Sequence, residues 1–140
     1  MGKAEFIEDK ERLRRLAPLL DAPVKRHVFV CNGKSCAAFG SAEVKAAFAA
    51  ELEQRNLRQG KESKGRNPRG EIVLTDCGSI GLCTIGVAVM VYPEGTWYAQ
   101  VRTAEDVKEI VETHLIGGET IERLAVTQIP IPETAETELE

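Results

Sequence analysis

The sequence predicts an α/β sandwich in which helices flank a mixed β-sheet of four to five strands. Two short β-rich segments, residues 25–31 and 71–76, are separated by an amphipathic helix over about 42–56. A strand, a helix and a second strand in that order favour a right-handed parallel crossover. Two further strands, IGVAVMVY and TWYAQVR, enclose the turn Pro93–Gly95 and favour an antiparallel hairpin. Parallel and antiparallel pairs together make the predicted sheet mixed.

The two main helices are predicted from apolar spacing and from the residues at their ends. Ser41 is suited to cap the first helix, and its apolar face is formed by Val44, Ala47, Phe48 and Leu52. The second helix has the sequence AEDVKEIVETHL. Thr103 is suited to cap its start, and the glycine pair at 117–118 is suited to end it.

Three segments are predicted along the chain. Residues 1–24 form an N-terminal helical extension that packs on the main body, and Pro18 kinks or ends its helix. Residues 25–126 form the domain, which includes a basic loop at 57–70 that is predicted to be solvated, with a docking patch for an acidic partner as the alternative. Residues 127–140 contain two prolines and four glutamates and are expected to form an acidic, disordered tail.

Charge and hydropathy exclude several classes of protein. The chain has 140 residues and a formal net charge of −4, whereas dedicated nucleic-acid binders usually carry a basic excess. No apolar run is long enough for a membrane span, and the charged N-terminus lacks the apolar core of a signal peptide. A cytoplasmic location is therefore expected, where ordinary thiols stay reduced.

The four cysteines form two pairs, Cys31 with Cys36 and Cys77 with Cys83, and each pair begins where a predicted strand ends. The stretch NGKSCAAFG, residues 32–40, is predicted to be a loop. Four thiolates in a reducing compartment indicate a metal or redox site, and such a set can hold zinc or an iron–sulfur group. Zinc knuckles usually have gaps of roughly two to four residues. The gaps here are four and five residues, which better suits a wider two-iron group. Phe39 excludes the plant-type 2Fe–2S spacing, and no Cys-x-x-Cys motif of a dithiol oxidoreductase occurs.

The other residues that could take part in binding or catalysis are given supporting or structural roles. Glycines at positions 33, 78, 81 and 86 would let backbone N–H groups approach a group bound by the cysteines. His27 lies within a predicted strand and His114 lies late in a helix, so neither lies in a cysteine loop and both are predicted to be structural. No Ser/His/Asp set, carboxylate pair or phosphate loop is present, and we do not expect an enzyme.

Four stretches together resemble the thioredoxin-like 2Fe–2S ferredoxins: VCNGKSC, DCGSIGLC, VAVMVYPEGTWYAQV and THLIGGETIERL. The same domain occurs in a subunit of bacterial respiratory NADH dehydrogenase and in diaphorase parts of hydrogenases. The resemblance covers residues 25–126, and its most specific pieces are SIGLC, the YPEGTWY hairpin and the helix ending in HLIGG. It implies a thioredoxin-like fold without the dithiol, one 2Fe–2S cluster near the surface, one-electron transfer and, in many members, a homodimer.

Three of the four cluster ligands implied by the resemblance fall on cysteines of this chain, and the third ligand does not. The first, second and last ligands fall on Cys31, Cys36 and Cys83, but the family spacing places the third ligand at Ser79. Cys77 lies two residues earlier. We assign Cys77 as the third ligand because a thiolate outcompetes a serine whose proton leaves only at far higher pH. Ser79 as an alkoxide ligand, or an incomplete site, are the alternatives.

The sequence therefore predicts a small electron carrier that holds one 2Fe–2S cluster on Cys31, Cys36, Cys77 and Cys83. Its expected partners are redox proteins and, as a homodimer, a second copy, with no nucleic acid and no membrane. Two alternatives stay open: a zinc-stabilised interaction module that uses the same cysteines, and a metal-free thioredoxin-like module of a larger redox complex.

Overall fold

A computed structural model describes residues 6–129, except for the side chain of Cys83. Its centre is one five-stranded sheet with the strand order β2-β1-β3-β4-β5. The strands are β1 (Arg26–Cys31), β2 (Ile72–Cys77), β3 (Val89–Tyr92), β4 (Thr96–Tyr98) and β5 (Ala125–Gln128). Strand β2 runs parallel to β1, and the other neighbouring pairs are antiparallel. The predicted mixed sheet and its hairpin are confirmed.

Four helices accompany the sheet: α1 (Lys10–Leu16), α2 (Lys34–Ala38), α3 (Ser41–Gln54) and α4 (Ala104–Glu109). Helix α4 continues directly into π-helical turns over Ile110–Ile116, which end at Gly117. The cap at Thr103 is confirmed, because its side chain accepts the N–H of Asp106 while Asp106 accepts the N–H of Thr103.

The hydrophobic core lies between one face of the sheet and the two long helices. Because strand side chains alternate between faces, the apolar residues at alternate positions of β1, β2 and β3 enter this core. Its buried members include Val28, Val30, Ile72, Leu74, Val89 and Val91 from the strands, Val44, Phe48 and Leu52 from α3, and Val107, Ile110, Val111 and Leu115 from the C-terminal helix. The core holds both helices on one side of the sheet.

The opposite face of the sheet is lined by half-buried aromatic side chains. The rings of His27 and Phe29 stack at 4.0 Å, and Phe29 meets Tyr92 edge-on at 6.0 Å. The indole N–H of Trp97 donates to the hydroxyl oxygen of Tyr92 at 3.3 Å. We call this the aromatic face (His27, Phe29, Tyr92 and Trp97).

A network of polar side chains lies at the end of the sheet where β1 begins. We call it the Arg26 network (Arg26, Glu94, Tyr98 and His114). Arg26 donates from Nε and Nη2 to the two carboxylate oxygens of Glu94, at 3.1 and 3.2 Å. The hydroxyl oxygen of Tyr98 accepts the N–H of Ile121 at 3.1 Å, so its proton is left to donate to Nδ1 of His114 at 2.6 Å. His114 then carries its own proton on Nε2 and donates to Glu94 at 3.0 Å. Each of these groups is thereby satisfied within the fold.

The two ends of the chain differ from expectation. Helix α1 ends before Pro18 as predicted, but it does not pack on the main body: none of its residues is buried, and Leu16 is 64% exposed. At the other end, β5 includes Thr127 and Gln128, so the sheet extends two residues into the segment predicted as a tail. Residues 130–140, the rest of that segment, lie outside the described residues.

Candidate metal centre

The parallel strands β1 and β2 bring one cysteine from each predicted pair together. Cys31 ends β1, Cys77 ends β2, and the two are directly paired in the strand register. Partners in neighbouring strands lie about 4.8 Å apart and point to the same face of the sheet. Two thiols more than forty residues apart in sequence are therefore adjacent in space.

Cys36 reaches the same region from a short helix. The sequence predicted a loop over residues 32–40, but Lys34–Ala38 form helix α2, with extended Gly33 before it. Cys36 is fully buried and shares a small cluster with buried Cys31 and Ala88, against which Ile80 and Leu82 pack. The loop expectation was wrong because five residues are too few to show helical periodicity.

The start of α3 is tied to the first cysteine loop. Gly40, not Ser41, precedes the helix, and the Ser41 hydroxyl instead donates to Oδ1 of Asn32 at 2.9 Å. Asn32 directly follows Cys31. Ser41 therefore holds this loop in place instead of capping the helix as predicted.

Two glycines permit close approach at the cysteine loops. A Cβ atom at Gly86 would lie 2.7 Å from the sulfur of Cys36, and one at Gly33 would lie 3.0 Å from Cα of Ser79. The second contact shows that the two cysteine loops cross at these residues. By contrast, a Cβ at Gly78 would meet nothing within 4 Å. Close approach is thus required at positions 33 and 86, and not at 78.

The loop between Cys77 and Cys83 contains both candidates for the third ligand. Cys77 is half-buried, and Ser79 is exposed and lies beside Gly33. Cys83 begins the 3-10 turn Cys83–Ile85, which packs against helix α2. The backbone of this turn therefore lies next to the helix that bears Cys36, while the side chain of Cys83 lies outside the described part of the structure.

Deprotonation of Cys77 is opposed by its surroundings. Burial raises the pKa of the Cys77 thiol, and negative charge on Cys31 and Asp76 raises it further. A bound cation would reverse this balance because metal ligation requires the thiolate form. Asp76 itself is paired with Lys45 of α3 at 2.7 Å, and the hydrogen bond from Lys45 lowers the pKa of Asp76.

A surface beside Cys36 was not identified from the sequence. Phe39 follows α2 directly and is 42% exposed, and the guanidinium carbon of Arg102 lies 4.4 Å above its ring. Arg102 also donates from Nε to the carbonyl oxygen of Gly86 at 2.9 Å. Because these residues are far apart in sequence, no local pattern could have connected them.

The two histidines lie away from the cysteines as predicted. His27 contacts the Thr75 hydroxyl at 2.8 Å and stacks on Phe29, and buried His114 belongs to the Arg26 network. Burial lowers the pKa of both histidines, although Glu94 partly offsets the effect at His114. The neutral imidazoles therefore serve as hydrogen-bonding groups of the fold.

The donor set fits a soft metal group with thiolate ligands. Cys31, Cys36 and Cys77 lie at one end of the sheet, and Gly86 leaves the sulfur of Cys36 a space that a Cβ would fill. Among the described side chains, no three His, Cys, Asp or Glu residues are grouped as ligands of a single metal ion.

No helix within residues 6–129 is long and apolar enough to cross a membrane.

No protein-family model matches the chain. Individual relatives do match. A 2Fe-2S ferredoxin of Clostridium pasteurianum is 39% identical over 110 residues, which cover 73% of this chain and 96% of the relative. A 2Fe-2S ferredoxin of Aquifex aeolicus is 39% identical over 113 residues, which cover 74% of this chain and 90% of the relative.

Solved structures give the same result. A thioredoxin-like [2Fe-2S] ferredoxin from Aquifex aeolicus superposes with a TM-score of 0.59 at 36% identity, covering 79% of this chain and 97% of that one. An NAD+-reducing [NiFe]-hydrogenase superposes over 85% of this chain and 23% of its own, with a TM-score of 0.55. At 14% identity, that second match shows the fold alone. On the strength of the ferredoxin relatives, the chain belongs to the thioredoxin-like 2Fe-2S ferredoxin family.

Proposed function

We propose that this protein is a one-electron carrier that holds a single 2Fe–2S cluster and exchanges electrons with redox proteins. Its relatives are named 2Fe-2S ferredoxins. The observation that carries the proposal is the direct pairing of Cys31 with Cys77 at the ends of β1 and β2. That pairing places two thiols at one level of the sheet, beside buried Cys36.

Cys31, Cys36, Cys77 and Cys83 would hold the cluster. When bound, the cluster supplies a site that accepts and releases one electron without a bond to substrate. The protein's residues set the conditions for that exchange: the apolar cluster around Ala88 keeps water from Cys31 and Cys36, and Gly33 and Gly86 bring backbone close to the loops. No substrate-binding chemistry is needed for this task.

The third ligand is best tested with two single variants. Cys77→Ala removes the proposed thiolate and leaves Ser79, and Ser79→Ala removes the alternative hydroxyl and leaves Cys77. We expect Cys77→Ala to lose most of its iron, sulfide and visible absorption, and Ser79→Ala to keep them. Protein should be purified without oxygen because thiolates at such sites oxidise.

The reverse pattern would assign Ser79 as the ligand. If both variants kept full iron and an unchanged spectrum, neither residue would be a ligand and the four-cysteine proposal would be wrong. Resonance Raman spectra of the iron–ligand stretches then distinguish sulfur from oxygen as the third donor.

The zinc alternative makes a different prediction for the same sample. A zinc module would be colourless, would contain zinc in a one-to-one ratio and would not be reduced by dithionite. Metal analysis of anaerobically purified wild-type protein therefore decides between the two.

The remaining expectations concern assembly and location. We propose a homodimer through the aromatic face, because both long helices pack on the other side of the sheet. Sedimentation velocity should show a dimer that Trp97→Glu converts to a monomer, and a monomeric wild type would exclude it. The cytoplasmic location and the individual electron donor and acceptor stay predictions.

A further inference from the structure

Phe39 and Arg102 form a surface next to Cys36, and exposed Lys34 begins the short helix α2 that ends just before Phe39. We call these three residues the Phe39 surface. Phe39 is 42% exposed. Arg102 lies over one side of its ring at 4.4 Å. Lys34 is the first residue of α2 and is exposed. The surface therefore combines an exposed aromatic ring, the cation that lies over it and a second cation at the start of the same short helix.

Backbone contacts link this surface directly to Cys36. A Cβ at Gly86 would lie 2.7 Å from the Cys36 sulfur and 3.3 Å from Cδ2 of Phe39, so both side chains contact the same glycine. The carbonyl of that glycine accepts the Nε–H of Arg102. A molecule in contact with Phe39 would thus be separated from the sulfur of Cys36, a proposed ligand, by little more than one residue.

The charges at this surface are not neutralised within the fold. Among residues 6–129, Arg102 and Lys34 make no ion pair, whereas Lys45, Arg58 and Arg123 are each paired with a carboxylate. One carboxylate is near, because Oε2 of Glu43 would lie 3.3 Å from a Cβ at Gly40, the residue after Phe39. In a protein with a net charge of −4, two cations against this one carboxylate are a local reversal of sign. Such a reversal orients an approaching molecule of opposite charge.

We propose that the Phe39 surface is the docking surface for a redox protein that presents carboxylates around an apolar spot near its own redox centre. The inference rests on the proposed electron-carrier function and names the partner's chemistry. Phe39 supplies the apolar contact, and Arg102 and Lys34 fix the orientation through ion pairs. One electron then leaves or enters the protein beside Cys36.

The proposal can be tested without the partner by using small complexes of opposite charge. The dithionite-reduced protein passes one electron to the cobalt(III) of anionic [Co(EDTA)]⁻ or of cationic [Co(NH₃)₆]³⁺, and each becomes a cobalt(II) complex. Arg102→Glu and Lys34→Glu should each slow the anionic oxidant by roughly three- to tenfold at low ionic strength. Both should accelerate the cationic oxidant, and salt should remove the differences.

Lys64→Glu is the matched control. It makes the same change in net charge on an exposed side chain, but Lys64 lies in the turn Glu62–Lys64, in the loop that leads into the start of β2. Cys77 lies at the opposite end of that strand. We expect Lys64→Glu to change either rate by less than half as much as Lys34→Glu.

A binding measurement provides a readout that does not depend on electron transfer. Redox-inert, paramagnetic [Cr(CN)₆]³⁻ should broaden the amide resonances of Thr103 and Ser41, near the Phe39 surface, more than those around Lys64. Lys34→Glu should abolish this preference, and Lys64→Glu should preserve it. Lys34 makes no ion pair among the described residues, so its replacement tests the surface even if Arg102→Glu fails to fold.

The outcomes separate this inference from the proposed function. A coloured protein with an unchanged reduction potential, whose Lys34→Glu and Lys64→Glu variants respond equally, would overturn the docking surface and leave the electron carrier intact. A colourless, iron-free protein would overturn the electron carrier. Uniform broadening by [Cr(CN)₆]³⁻ over the whole surface would also reject the Phe39 surface as the docking surface.

Discussion

The two ends of strand β1 are stabilised in different ways. At its start, the Arg26 network satisfies its own donors and acceptors with side chains and backbone of the same chain. At its end, Cys31 meets Cys77 and a buried thiol of α2, and close contacts at two glycines leave no room for larger side chains. One end is thus complete as folded, whereas the other has the donor set for a bound group. The fold and the site can therefore be disturbed separately.

The largest effect is expected from Gly86→Ala. The new Cβ would lie 2.7 Å from the Cys36 sulfur, a distance that requires the sulfur or the backbone to move. We expect this variant to lose most of its iron and visible absorption. Gly78→Ala is the matched control because its Cβ meets nothing within 4 Å. Equal iron contents in the two variants would contradict the close-contact argument.

An intermediate effect is expected from Tyr98→Phe at the other end of the strand. The change leaves the N–H of Ile121 and Nδ1 of His114 without their partner in a buried site. Each unsatisfied group costs about 1–3 kcal/mol, so with two such groups we expect the free energy of unfolding to fall by about 2–6 kcal/mol. The cluster spectrum should stay unchanged. If the iron content fell as much as in Gly86→Ala, the two ends would not be independent.

The smallest effect is expected from pH. His27 and His114 have pKa values below the usual 6.5, so the folded state binds fewer protons than the unfolded state below that pH. The contribution of the two histidines to the free energy of unfolding is therefore fully present above pH 6.5 and is lost as the pH falls below it. Thermal unfolding at about pH 7.5 and about pH 5.5 measures this.

His27→Gln and His114→Gln should each reduce the pH dependence, provided that the visible spectrum shows an intact cluster at both pH values. A stability that rises on acidification would mean that the histidines gain protons on folding. That result would contradict the lowering of both histidine pKa values by burial.

The sequence predicted most of what depends on local signals. The strands that end in Cys31 and Cys77, the Pro93–Gly95 hairpin and the Thr103 cap are each encoded within a few residues, and the structure has all of them. Helix α2 is too short for a periodic pattern. Strand β5 is an exposed edge strand, so its residues lack the apolar alternation that identifies a strand.

What the sequence could not predict depends on contacts between distant residues. The Arg26 network connects Arg26 with Glu94, and the Phe39 surface connects Phe39 with Arg102. Neither pair has a spacing that a local pattern could reveal. The cysteine pairs were recognised because four thiols are rare enough to be noticed. The choice between Cys77 and Ser79 stays a prediction, because the register places Cys77 beside Cys31 and the loop crossing places Ser79 beside Gly33.

The pairing of Cys31 with Cys77 also connects assembly of the sheet with acquisition of iron. Side chains alternate along a strand, so a shift of β2 by one residue would turn Cys77 to the helix side of the sheet and place Asp76 or Gly78 opposite Cys31. Under the proposal that Cys77 is a ligand, such a chain would offer the wrong donors and would not retain the metal. Cluster insertion would then select correctly aligned chains from misaligned ones, and the colour of a preparation would measure the fraction whose two parallel strands are in register.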